Sequence, residues 1–111
     1  VRKMGVDTDA LPYPAVLLGS LTLSPMQVAQ MYQTLADQGF YSPLRVIISV
    51  QDDDNKSLQS YPMQVEQRLN AENSYLINAN LQEVVSRGTA RGLARYLPPN
   101  YYLAGKTGTT N

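Results

Sequence analysis

Between positions 24 and 39 the apolar residues recur at helical intervals. Val28, Met31, Tyr32, Leu35 and Ala36 follow the i, i+3, i+4, i+7, i+8 spacing that lines up one face of a helix. Ahead of them Ser24 is a good N-cap, Pro25 suits the first helical position, and Gln27, three beyond the cap, completes a capping box. Gly39 stands where a left-handed residue closes a helix. A second stripe, Ile77, Leu81, Val84 and Val85, predicts a helix from about Ala71 to Arg87, with Asn70 as cap, Glu72 near the positive end of the dipole and Gly88 as stop. Thr89 is placed to cap a short further helix through Tyr96, which Pro98 and Pro99 terminate.

The remaining apolar segments read as extended. Leu44 to Val50 is rich in β-branched residues and Ser57 to Tyr61 is a second short candidate, so the polar run Gln51 to Lys56 between them predicts a hairpin. Tyr101 to Thr107 is the expected last strand. The first twenty residues, interrupted by Gly5, Pro12 and Pro14, read as a loop leading into the small apolar segment Ala15 to Leu18. With no repeat and no linker, the 111 residues read as one α/β unit. A terminal strand needs neighbours to satisfy its backbone groups, so the expectation is a piece of a larger sheet rather than a whole one.

Composition narrows the chemistry. Nine basic and nine acidic residues cancel, so no polyanionic partner such as nucleic acid is expected. There is no Cys and no His, which removes disulfides, thiolate nucleophiles, and the commonest general base and metal ligand. No metal and no cofactor is expected. The longest apolar run, around Ala15 to Leu18, falls far short of a membrane span, and the N-terminus lacks a secretion signal, so any anchor or address would lie elsewhere. The acidic run Asp52, Asp53 and Asp54 does not fit a calcium loop, because Ser57 and Met63 occupy the positions that want Gly and Glu; a solvated turn accounts for it. Arg87, Arg91 and Arg95 near the Tyr-rich tail read as a wet helix face.

The chain closes on Gly105-Lys106-Thr107-Gly108-Thr109-Thr110-Asn111. In a strand Thr107 and Thr109 share one face while Lys106 and Gly108 lie on the other. Two hydroxyls beside an ammonium make a receptor for a carboxylate, and Gly105 and Gly108 allow a ligand or a neighbouring backbone to come close. An extended peptide could also pair with the free edge of such a strand. A phosphate-binding loop is excluded by spacing, because Asn100 occupies the position of its first Gly. Taken alone, Lys-Thr-Gly is equally compatible with a surface turn. It is also the third signature of the penicillin-binding and serine β-lactamase fold, whose other two are Ser-x-x-Lys and Ser-x-Asn. No Ser in this chain is followed by Lys three positions on or by Asn two positions on.

Beyond the tripeptide, nearly the whole chain resembles the transpeptidase domain of class A bifunctional penicillin-binding proteins, most closely the Gram-negative 1b type. The resemblance is carried by ordered segments: Pro14 to Pro25, Val28-Ala29-Gln30 through Gln33-Thr34-Leu35-Ala36 to Gly39, Pro43 before the hairpin, Val84-Val85-Ser86-Arg87-Gly88-Thr89-Ala90, and Ala104 to Asn111. It implies the β-lactamase/transpeptidase-like α/β fold, a sheet flanked by helices, incomplete here. Residues 1–111 would be a C-terminal-half fragment ending at the Lys-Thr-Gly strand.

In that family a serine attacks the D-Ala-D-Ala carbonyl of a peptidoglycan stem peptide, and an amine on a neighbouring stem resolves the acyl-enzyme into a cross-link. By resemblance, Lys106 would ease proton transfer near the Ser-x-Asn serine, and Thr107, Gly108 and Thr109 would bind substrate, the threonines holding its terminal carboxylate. The backbone N–H of Thr109 would supply half of the oxyanion hole. β-Lactams would acylate the same serine. The serine itself would precede Val1, so this piece alone is expected to be inactive, with the rest of its own transpeptidase domain as its partner. The resemblance implies a periplasmic location at the inner membrane, with a glycosyltransferase domain and an anchor outside this chain and no membrane contact by this segment. A D,D-carboxypeptidase or β-lactamase, in which water takes the acyl group, and a noncatalytic module that keeps the scaffold are the alternatives.

Overall fold

In the computed structural model, residues 1–9, 13–98 and 100–108 are described. A reciprocal pair of hydrogen bonds opens helix α2, Pro25–Ala36: Gln27 N donates to Ser24 Oγ at 3.2 Å and Ser24 N donates to Gln27 Oε1 at 2.8 Å. The predicted capping box is therefore formed on both sides. The same helix closes in a Schellman motif, with Gly39 N donating to Thr34 O at 2.8 Å and Gln38 N to Leu35 O at 3.2 Å. Gln38, at φ 54°, is the left-handed residue of that motif, and Gly39, at φ 96°, follows it rather than supplying it.

The chain divides into two compact units, Val1–Leu69 and Asn70–Asn111. In the first, a 3₁₀ turn at Arg2–Met4 precedes α1, Pro14–Leu17, a single helical turn where the sequence reads as a loop. Pro14 at its N-terminus has the backbone angle a helix start requires. After α2 come β1, Phe40–Tyr41; β2, Ser49–Gln51; β3, Ser57–Ser60; and β4, Glu66–Gln67. β1 pairs antiparallel with β4, Phe40 opposite Gln67 and Tyr41 opposite Glu66. β2 and β3 form the expected hairpin, but it is shorter than the β-branched run: residues 44–47 stay outside the ladder, while the Ile48 carbonyl accepts from Tyr61 N at 2.9 Å. Its turn is built by Asp52, whose Oδ1 accepts from Asp54 N at 3.1 Å and Lys56 N at 2.8 Å while Asn55 takes φ 60°.

The face α2 buries is rotated from the apolar stripe. Gln30, Thr34 and Leu35 are buried, whereas Val28 and Ala36 are exposed. Thr34 Oγ1 donates within the helix to Gln30 O at 3.1 Å. The Gln30 amide donates to Ser42 O at 3.0 Å and accepts from Leu44 N at 2.9 Å, so the polar side chain is satisfied where it is buried. Gly5, at φ 85°, leaves room for the Tyr41 ring: a Cβ there would overlap Tyr41 Cε2. The Arg68 guanidinium lies 3.6 Å from the centroid of that ring and its Nε is 2.9 Å from Glu66 Oε2.

The second unit is organised by α3, Ala71–Ser86, capped by Asn70 Oδ1 accepting from Asn73 N at 3.2 Å. Gly88 turns the chain, and a short 3₁₀ helix, Arg91–Arg95, follows. That helix is shorter than predicted, and it begins from Ala90 without a side-chain cap, so Thr89 is not its cap. The last strand expected over 101–107 is not formed among the described residues: residues 101–108 make no ladder. The reason is local, since an extended segment becomes a strand only when another strand takes up its N–H and C=O groups. Helices and strands are both present, as the transpeptidase-like α/β fold requires, with two separate two-stranded ladders among the described residues.

Candidate functional site

α3 positions the C-terminal segment. Gly105 N donates to Leu81 O at 3.2 Å, which ties the start of the Gly-Lys-Thr-Gly run to the middle of the helix. At the C-terminal end of the helix, Gly88 N reaches Glu83 O at 3.0 Å and Ala90 N reaches Val84 O at 3.1 Å. This turn leaves no room for a side chain at 88, where a Cβ would approach Val84 Cα and O to 2.8 Å. Thr89 is thereby set opposite Thr107.

The hydroxyls of Thr89 and Thr107 stand 2.7 Å apart. The Lys106 ammonium donates to Thr107 O at 2.9 Å and reaches Thr107 Oγ1 at 3.4 Å. Lys106, Thr107, Gly108 and Thr89 are all exposed, and a Cβ at Gly108 would meet nothing. Among the described residues no carboxylate pairs with Lys106. Strand alternation would place the Lys106 and Thr107 side chains on opposite faces, yet the ammonium lies 3.4 Å from the Thr107 hydroxyl. Without a ladder to fix the backbone, the long lysine stem folds along it and brings ammonium and hydroxyl together.

Thr109 lies outside the described residues, and with it the expected second hydroxyl and the backbone N–H of the oxyanion hole. Sequence reasoning missed Thr89 as a partner of Thr107. Eighteen positions separate them, and a Thr after Gly at the end of a helix reads as a cap, so no local signal marked the pair. Among the described residues no group of three or more His, Cys, Asp or Glu is arranged to hold a metal ion.

The family model of the penicillin binding protein transpeptidase domain matches residues 6–111, a span that includes Lys106, Thr107 and Gly108. The chain belongs to this family. It is 51% identical to penicillin-binding protein 1B of Escherichia coli strain K12 across 98% of its own length and 13% of that protein's. It is 41% identical to penicillin-binding protein 1B of Vibrio cholerae over 98% of this chain, and 32% identical to penicillin-binding protein 1A of Neisseria meningitidis serogroup B over its full length, 14% of each relative. The chain thus spans about one-seventh of these relatives and is of the 1B type within the family.

Proposed function

We propose that this chain supplies the wall that recognises the substrate carboxylate in a peptidoglycan D,D-transpeptidase that also binds penicillin. The observation that carries the reading is the exposed pairing of the Lys106 ammonium with the Thr107 hydroxyl, at the end of a family match that runs to the last residue. The hydroxyl and the backbone N–H groups around Gly108 donate to the terminal carboxylate of a D-Ala-D-Ala stem, and the ammonium supplies the field that favours an anion there. The nucleophile and the acceptor amine come from elsewhere. A serine outside these residues attacks the carbonyl of the penultimate D-Ala, the peptide bond breaks, and D-Ala leaves as an amine that takes up a proton. An amine of a second stem then attacks the ester, and the serine oxygen leaves and regains its proton.

Lys106 assists the first proton transfer by lowering the cost of negative charge at the reacting centre, and the Thr109 N–H contributes half of the oxyanion hole. The reaction uses no cofactor. By itself the chain does not acylate, since it carries no nucleophile of the family's type; its partner is the remainder of the same transpeptidase domain. The parent protein carries a glycosyltransferase domain and works at the periplasmic face of the inner membrane through an anchor outside this chain. Among the described residues no helix is long and apolar enough to cross a membrane.

The test is acylation of the full-length protein by a fluorescent penicillin. Lys106→Ala is expected to slow adduct formation by about a hundred- to a thousandfold, the loss typical of one charged or oriented donor at the reacting centre, with an unchanged melting temperature. Wild-type protein that forms no covalent adduct, or a variant that labels at the wild-type rate, would overturn the reading.

A further inference from the structure

We infer that Thr89 is a positioning residue for the carboxylate site, acting through the hydroxyl of Thr107; the inference rests on the function proposed above. A threonine hydroxyl has one proton and two acceptor positions. Lys106 Nζ, which can only donate, approaches Thr107 Oγ1 at 3.4 Å, and Thr89 Oγ1 stands at 2.7 Å from the same oxygen. When Thr89 donates, both acceptor positions of Thr107 are filled. The Thr107 proton is then directed away from Lys106 and Thr89 and toward whatever approaches from solvent. A hydroxyl held in that state is a committed donor, the polarity an anionic ligand requires.

Both partners are fixed to the same helix. Gly105 N on Leu81 O tethers the segment that carries Thr107, and the turn at Gly88, too tight for a Cβ, fixes Thr89. The pair is therefore set by α3 rather than by a chance meeting of two mobile side chains. A carboxylate arriving at Thr107 draws its proton outward, and the 2.7 Å partner behind it turns to donate in its place. The bound anion is thus reached through a relay of two hydroxyls, of which only Thr107 touches it.

The experiment measures acylation of the full-length protein by benzylpenicillin and by its methyl ester, in which the carboxylate is capped. The ratio of the two second-order rate constants reports carboxylate recognition alone. Thr89→Val, which keeps shape and removes the hydroxyl, is expected to lower that ratio roughly three- to tenfold, the range for losing one hydrogen bond at an exposed site. Thr89→Ser restores it. Thr107→Val lowers it at least as far. A ratio unchanged in Thr89→Val but lowered in Thr107→Val overturns this inference and leaves the proposed function standing. A ratio unchanged in both overturns the assignment of Thr107 and the inference with it. If Thr89→Val slows both reagents equally, its role is structural and the inference also fails.

Discussion

Gln30 shows how a polar side chain in the middle of a helix comes to hold a fold together. Only 6% exposed, it donates from Nε2 to Ser42 O and Gln33 Oε1 and accepts at Oε1 from Leu44 N, so it clamps the chain as it leaves β1. Gln30→Leu keeps the volume but strands the Leu44 N–H and the Ser42 carbonyl. The expected cost is about 1–3 kcal/mol, read as a lower midpoint in urea unfolding of the full-length protein with its slope unchanged. At this scale the sequence was legible where chemistry is local. Ser24, Pro25 and Gln27 announced their capping box because its partners lie within one turn. Gln30 and Thr34 were not legible as buried residues: hydrophobic periodicity sees apolar side chains, while their burial is licensed by carbonyls and N–H groups brought from Met4, Ser42 and Leu44. The Thr89–Thr107 pair escaped for the same reason, since neither residue carries a sign of the other.

Among the elements, α3 with the turn that ends it decides where the site residues stand. Gly88 does not rely on an unusual φ. Its necessity is one of space, because a Cβ would be 2.8 Å from the Val84 backbone, which cannot rotate away as a side chain can. Gly88→Ala is therefore expected to destabilise the full-length protein by about 1–3 kcal/mol through overpacking, while Gly92→Ala, where an added Cβ meets nothing, stays within about 0.5 kcal/mol. Differential scanning calorimetry of the two variants separates them, and equal melting temperatures would show that the turn yields. Both long helices were legible to within a residue at each end, because each carries its own cap and stripe. The extended elements were less so. Residues 101–107 have strand-like composition but no ladder, and β1 and β4, two residues each, are defined by a partner more than twenty positions away. A strand is a property of a pair, and one member of the pair does not announce the other.

On the scale of the whole molecule, the hairpin is the element least accounted for by its own surroundings. Every residue of β2 and β3 is exposed, Leu58 of β3 at 62%, and the apolar side chains just ahead of β2 also remain in water: Val46 is 90% and Ile48 67% exposed. An isolated two-stranded hairpin is marginal in water, and a cluster of β-branched residues at its base adds nothing until something covers it. On the function proposed above, the rest of the transpeptidase domain would be that cover. Amide hydrogen exchange tests this directly. In the 111-residue chain prepared alone, the ladder amides between Ser49 and Ser60 should exchange nearly as fast as an unfolded segment, whereas in the full-length protein they should be protected by at least a hundredfold, the factor that follows from roughly 3 kcal/mol of added local stability. The capped α2, which closes its own first turn, serves as the internal reference in both samples. Rapid exchange of the hairpin in both samples would mean that its apolar residues stay uncovered in the whole protein and serve a different contact. Slow exchange in both would mean that cross-strand pairing alone holds the hairpin, and the case for a covering partner would fall.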